Sequence, residues 1–449
     1  MRRLFALTAL VLSACAAPAQ EILIRDITIV DAARNTLHPH MDVEVQGERI
    51  TAVRPHRFWR GGSRTVDGQG RYLIPGLWDA HVHMNNLTEP AFPLLITLGI
   101  TSVRDMGGEP AELASWRRRI EAGELVGPRL KFCGLMLEAT DDFPVNRESH
   151  RVIRTPQEAR EVVAEEAQLG VDCIKVRSVR DEETYRAIFA AAHEHGLPVA
   201  GHPPYGFDPV MALSLGPQTY EHIFYPYPFA TLPEDQRAAI LSAFVDSHVA
   251  LTPTLVAWAP ATTPITALQA RYDALTHDAA AAQAISPLLL LSWADGLRYS
   301  IEEQRGSPGW VSAVRQAESD AATMAQAGVP VTAGTDLGAP FVAPETALYD
   351  ELERLVAYMG LTPAQALLAA TAQPARLFNQ DGSMGAVEPG YVADLVILTA
   401  DPLQDIANVR SVDTVITRGR VYDAQARAAL REQVTAALRQ AWAAEDATH

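Results

Sequence analysis

From residue 22 to about 73, short runs of alternating apolar and polar residues are separated by turns: Ile22–Asp31, Met41–Gln46, Arg49–Val53, Gly61-Gly62, then Tyr72–Ile74. A period of two with close turns predicts a small β domain. From about 75 to 379 the rhythm changes. Short β-rich runs alternate with amphipathic stretches of helical period, which argues for β/α units around a parallel sheet. The runs are Leu77–His83, Thr101–Asp105, Arg129–Cys133, Cys173–Val176, Pro198–His202, Thr219–Ile223, Val249–Thr254 and Pro330–Thr335. Eight of them over this length predict an α/β fold of the (β/α)8 TIM-barrel kind. After 380 the β character returns in Gly385-Ala-Val, Ala393–Leu398, Thr414–Arg418 and Val421, before a helix over 424–449. The two outer β stretches, 20–74 and 380–423, are expected to join as one composite β-sandwich.

One connection is too long. Thr254 and Pro330 are about 75 residues apart, against the roughly 30 of a βαβ unit. The insert is Ala-rich, helical in pattern and carries Trp258, Tyr272, Trp293, Tyr299 and Trp310. It would leave the barrel at the rim where active sites gather, as a lid or substrate wall, or else pack plainly outside.

The first residues are read apart from the fold. Arg2-Arg3 followed by apolar Leu4–Leu12 is too short for a bilayer span of about 20 residues and reads as an export signal over 1–19. Leu12-Ser13-Ala14-Cys15 resembles a bacterial lipobox, with Cys15 lipidated; ordinary cleavage near Ala17-Pro18-Ala19 is the other reading. Either predicts an exported, periplasmic protein, lipid-anchored at the envelope in the first case. With 37 basic against 54 acidic residues the chain carries a formal charge of −17, which disfavours nucleic acid and anionic membrane surfaces as partners. The membrane contact expected is the lipid anchor alone; self-association is left open. Three cysteines are too few for a disulfide framework, and Cys133 and Cys173, each in a buried run, are expected as inert core thiols.

The histidines sort by position. His38 and His40 flank Pro39 in an expected surface turn, and His193 and His195 close a helix whose C-terminus accounts for them. His81 and His83 instead end an apolar strand, where a spacing of two puts both rings on one face. Lys175, His202, His222 and Asp336 end other runs in the same way. A single polar strand end is ordinarily a satisfied core or capping group. Six groups of metal-ligand or carboxylate type on five strands are hard to explain separately, and a buried lysine is costly unless neutralised or paired.

At this point the sequence resembles the amidohydrolase superfamily. The likeness is carried by Pro75-Gly-Leu-Trp-Asp-Ala-His81-Val-His83, Ala333-Gly-Thr-Asp336 and Gly385-Ala-Val-Glu-Pro-Gly-Tyr-Val-Ala-Asp394-Leu-Val-Ile. Thr101-Ser-Val-Arg-Asp105-Met-Gly-Gly resembles the imidazolonepropionase-like branch of dipeptidases and amidases. The resemblance implies two divalent metal ions, usually zinc. His81, His83 and Asp336 would hold one, His202 and His222 the other, with carboxylated Lys175 bridging them. It further implies hydrolysis of an amide or peptide bond by a metal-bridging hydroxide, in a dipeptide such as Xaa-Pro or Xaa-Arg/Lys or in an N-acyl amino acid. Asp336 would accept the hydroxide's proton and deliver it to the leaving amine.

Lys175 favours hydrolysis over deamination, because the superfamily's mononuclear deaminases lack a lysine on the fourth strand. Tyr205 is a candidate for hydrogen-bonding the scissile carbonyl, though Pro203-Pro204 gives it an unexpected spacing. Arg177 would face a substrate carboxylate or pair with Asp181. The third-strand loop Gly134–Asp142 lacks the glycine and histidine pattern common among the dipeptidases, which leaves the substrate class open. A one-metal cyclic-amide hydrolase or deaminase is the alternative enzyme, and a lipid-anchored binding protein with lapsed catalysis the alternative of another kind. Serine-hydrolase, P-loop and Cys-x-x-Cys motifs are missing.

Overall fold

The computed structural model describes residues 21–57, 64–140, 149–223, 229–277 and 285–446; Cys15, Gly61-Gly62 and Asp141-Asp142 lie outside them. Alternating burial builds the N-terminal strands β1 (Glu21–Asp31), β2 (Thr36–Gln46), β3 (Arg49–Pro55), β4 (Arg64–Asp67) and β5 (Tyr72–Pro75). β1 pairs antiparallel with β2, and β2 with β3 across a tight turn in which Gly47 takes φ 59°. His38 and His40, expected in a turn, belong to β2. The first five residues of that strand are exposed, so no apolar alternation marked it.

The central part is parallel. β6 (Leu77–Val82), β7 (Ile100–Asp105) and β8 (Arg129–Phe132) form one sheet. β9 (Met136–Glu138), β10 (His150–Val152), β11 (Ile174–Val176), β12 (Val199–Gly201), β13 (Thr219–Glu221) and β14 (Ala250–Thr252) form a second, in the order β10-β9-β11-β12-β13-β14. β6, β7 and β11 to β14 are buried along their whole length, as expected where helices cover a parallel sheet. The helix Pro156–Leu169 starts on the Thr155 hydroxyl and stops at left-handed Gly170 (φ 75°).

The predicted eighth run is not a regular strand, yet its backbone bonds to both neighbours: Leu251 N–H donates to Pro330 O at 2.8 Å and Thr332 N–H to Leu251 O at 2.9 Å, while Ala80 N–H donates to Ala333 O at 2.9 Å. It contributes isolated bridges, Val331 to Leu251 and, just beyond it, Leu337 to Val82. Gly334 sits where a Cβ would meet Thr252 Cγ2 at 2.5 Å and His81 Cβ at 2.8 Å, so the backbone passes where no side chain fits. Among the described residues the sheets therefore form an α/β architecture without a continuous closed ladder.

β15 (Leu395–Leu398), β16 (Val412–Thr417) and β17 (Arg420–Tyr422) return to the N-terminal strands. β15 pairs antiparallel with β5, and the N- and C-terminal strands, eight in all, hydrogen-bond as one sheet. Ile22, Ile24, Val43, Leu73, Leu395 and Ile416 share its core.

The expectation for the cysteines is corrected. Cys133, just past β8, and Cys173, just before β11, form a disulfide across Cα atoms 4.3 Å apart. Asp172 donates its backbone N–H to Phe132 O at 2.8 Å, and this backbone contact brings the two positions side by side. Reading each run alone could not reveal that neighbourhood.

Candidate metal centre

β6 turns Asp79 and His81 into the same interior, and His83 follows at its end. His81 is fully buried, and its Nδ1 lies 2.7 Å from Glu221 Oε2. His83 Nδ1–H donates to Gly107 O at 2.9 Å, and His222 Nδ1 lies 2.7 Å from Thr254 Oγ1. With one ring nitrogen anchored, each imidazole presents Nε2 to a common centre, the arrangement that fixes a metal-ligating histidine. His83 Nε2 and His81 Nε2 lie 3.1 and 3.4 Å from Asp336 Oδ1. His202 and His222 bring their Nε2 atoms within 3.1 Å of each other.

Burial, with the Lys175 cation next, lowers the His81 imidazole to about 4. It pushes His202 well below the ordinary range, and it lowers His222 to about 3. These rings are neutral near pH 7, the form that binds a cation. Burial opposes it, but the Asp336 carboxylate holds the His83 ring above its usual value. Burial would likewise raise Asp336, yet His81 and His83 keep it well below the carboxylate range.

Lys175 is 1% exposed, and its Nζ has no hydrogen-bond partner. Burial lowers the amine to about 8. An orphaned buried amine beside two imidazoles whose Nε2 atoms face one another is poorly stable as it stands. Nitrogen, carboxylate and amine donors of this kind fit divalent cations, and His81, His83 and Asp336 offer ligand atoms all within 4.8 Å of one another.

Two residues that had no role in the sequence reading hold this arrangement from beneath. Arg104, fully buried on β7, reaches Glu221 Oε1 at 2.8 Å and donates to Ala80 O at 2.7 Å and Thr219 Oγ1 at 2.9 Å. Burial opposes ionisation, but Arg104 and then His81 hold the Glu221 carboxyl well below its ordinary range. Glu221 is thereby kept as a carboxylate aimed at His81. The signal available was a charged residue at Arg104 in an otherwise buried run.

The centre opens into a cavity of about 340 Å³ lined by His81, His83, Lys175, His202, His222 and Asp336. The 255–329 insert supplies the facing wall, including Trp258, Tyr299 and Arg305. Arg177 lines the cavity too, but its guanidinium pairs with Glu138 at 2.7 Å, while Asp181 caps the following helix. Tyr205 is 72% exposed and outside the lining: the turn with Gly206 (φ 79°) after Pro203-Pro204 carries it away from the centre.

Comparison with known proteins finds matches over parts of the chain. Residues 291–422 match the amidohydrolase family model. An imidazolonepropionase of Geobacillus kaustophilus (strain HTA426) is 34% identical over 117 residues, 25% of this chain and 27% of that protein. An adenine deaminase of Chelativorans sp. (strain BNC1) is 25% identical over 222 residues, 45% of this chain and 35% of that protein. The alignments thus span only about a third or less of these relatives' length. A crystal structure of a Xaa-Pro dipeptidase with bound methionine in its active site superposes with a TM-score of 0.68 at 19% identity, covering 90% of this chain and 100% of that one.

Proposed function

We propose that the chain is an amidohydrolase, as the match of residues 291–422 supports, and that it hydrolyses an amide or peptide bond in a dipeptide or an N-acyl amino acid. The observation that carries this reading is Lys175, buried without a partner beside inward-facing imidazoles. His81, His83 and Asp336 would hold one divalent ion, and His202 and His222 a second. Zinc suits these donors. Lys175, its amine eased towards the neutral form by burial, would add to carbon dioxide and lose a proton, giving a carbamate between the two sites. Bound there, the ions would supply Lewis acidity and a water acidic enough to attack near neutral pH.

The chain's own part follows from its geometry. Asp336, held ionised by the flanking rings, accepts a proton from the attacking water and returns it to the leaving nitrogen. Glu221, fixed by Arg104, keeps His81 in the tautomer with Nε2 free. Trp258 and Tyr299 narrow the cavity around the substrate and limit water.

The fold reading is extended in the same way. The two parallel sheets, with their bridges at Val331 and Leu337, are read as an eight-stranded barrel, supported by the likeness to the dipeptidase structure. The 1–19 segment and Cys15 support an exported, lipid-anchored protein. The test is a dipeptide and N-acyl amino acid library assayed with zinc and bicarbonate, alongside metal counting. Two ions per chain and amide hydrolysis are expected. Kinship with an imidazolonepropionase and an adenine deaminase supports a second reading, a one-metal cyclic-amide hydrolase or deaminase. One ion per chain, with ring opening or ammonia release, would establish that instead.

A further inference from the structure

Arg305 stands on the turn after the helix Pro287–Glu302, on the wall of the metal cavity. Three aromatic rings surround its guanidinium carbon: Tyr299 at 4.7 Å, Trp310 at 5.2 Å and Trp258 at 5.9 Å. The turn is fixed. Gln304 takes φ 53°, Arg305 N–H donates to Ser300 O at 2.9 Å, Gly306 N–H donates to Ala261 O at 3.0 Å, and Trp310 Nε1–H donates to Glu303 O at 2.8 Å. A guanidinium held among rings keeps its planar edge free for a bidentate partner.

No such partner stands beside it among the described residues. Arg305 Nε is buried without a hydrogen-bond acceptor, and the residue forms no ion pair among the described residues. The other cationic edge on the cavity, Arg177, is already neutralised by Glu138. Trp258 is the wall shared with the metal centre, its ring 6.2 Å from the His222 ring. A half-buried guanidinium with its Nε out of solvent and no anion beside it among the described residues, one indole away from the site of bond cleavage, is built to receive a carboxylate.

We propose that Arg305 is the specificity-determining residue that binds a free carboxylate on the substrate, selecting amino-acid amides that end in a carboxylate over those that do not. This rests on the proposed amide hydrolysis and adds what the insert is for. The scissile carbonyl lies at the histidines, and the carboxylate of the released amino acid points to the aromatic-lined guanidinium.

The experiment is calorimetric binding to the metal-replete full chain. The probes are the N-acetyl derivatives of L-leucine, L-proline and L-phenylalanine, each as free acid and as carboxamide. At least one acid is expected to bind about 10- to 100-fold more tightly than its carboxamide, as a charged hydrogen-bonding partner would require. Arg305→Met keeps the packed stem and is expected to reduce acid binding to the carboxamide level with metal content unchanged. If that variant loses metal, Arg305→Lys is read in its place, and a clear fall in the preference is expected because the planar fork is gone. No preference for any acid in the wild type, no binding of either form, or a preference that survives in the variant read overturns the assignment. Absence of hydrolysis with the preference intact would sink the proposed reaction and leave the carboxylate site standing.

Discussion

The hydroxyl of Thr254 lies 2.7 Å from Nδ1 of His222, although Thr254 also occupies the N-cap of the helix Leu255–Thr262 and does not cap it. The helix end is served from elsewhere: Val256 N–H donates to Glu351 Oε2 at 2.8 Å. One threonine thus orients an imidazole, and a buried glutamate on a distant helix does the capping.

Thr254→Val should leave the fold in place and weaken metal retention by about 10- to 100-fold, the usual effect of losing a ligand's supporting hydrogen bond. Competition with a chelator of known zinc affinity measures it. Unchanged retention would mean that His222 needs no such anchor.

Lys175→Ala should abolish bound metal and turnover together, and short carboxylic acids added in solution should partly restore both by occupying the carbamate's place. Elemental analysis and a hydrolysis assay read the two effects. Turnover equal to wild type would remove Lys175 from the centre.

Arg104→Met leaves Glu221 charged and buried without its partner, which should cost about 3–5 kcal/mol in urea unfolding. Replacing both, Arg104→Met with Glu221→Leu, should recover much of that stability yet still bind metal poorly, since His81 has lost its anchor. A double variant that binds metal normally would show that the pair serves packing alone.

Glu351 supplies a pH test away from the metal ligands. Burial raises its carboxyl from 4.5 to about 8. The folded chain therefore keeps a proton that the unfolded chain releases across that window, so this residue's contribution to stability declines as pH climbs from 4.5 towards 8. Glu351→Gln should flatten that decline, measured as unfolding midpoints at several pH values. An identical slope in both proteins would mean the carboxyl is ionised when folded.

Much of this was readable beforehand because strand period and chemistry coincide. His81 and His83 end an apolar run at a spacing that shares one face, and Lys175 interrupts a buried one. Glu221 was hidden beside His222, since its value comes from reaching His81 and Arg104, both more than a hundred positions away. Tyr205 lies outside the cavity lining because a turn after two prolines decides its direction, and no periodicity reports on that. The Cys133–Cys173 bridge depended on which strand ends are neighbours, and the place of Arg305 depended on how an insert folds back.

β5 runs through Gly76 into β6, so the segment carrying His81 and His83 hangs from a strand flanked on one side by β1 and on the other by β15. Gly76 N–H also donates to Asp394 O at 2.7 Å, and Arg129 grips the Asp394 carboxylate at 2.7 Å. The root of the histidine strand stays unfinished until some 320 further residues have been made, a long-range closure of the kind that slows folding. A nascent polypeptide interrupted before Leu395 would hold both histidines and every other proposed ligand, yet leave their foundation open along one edge.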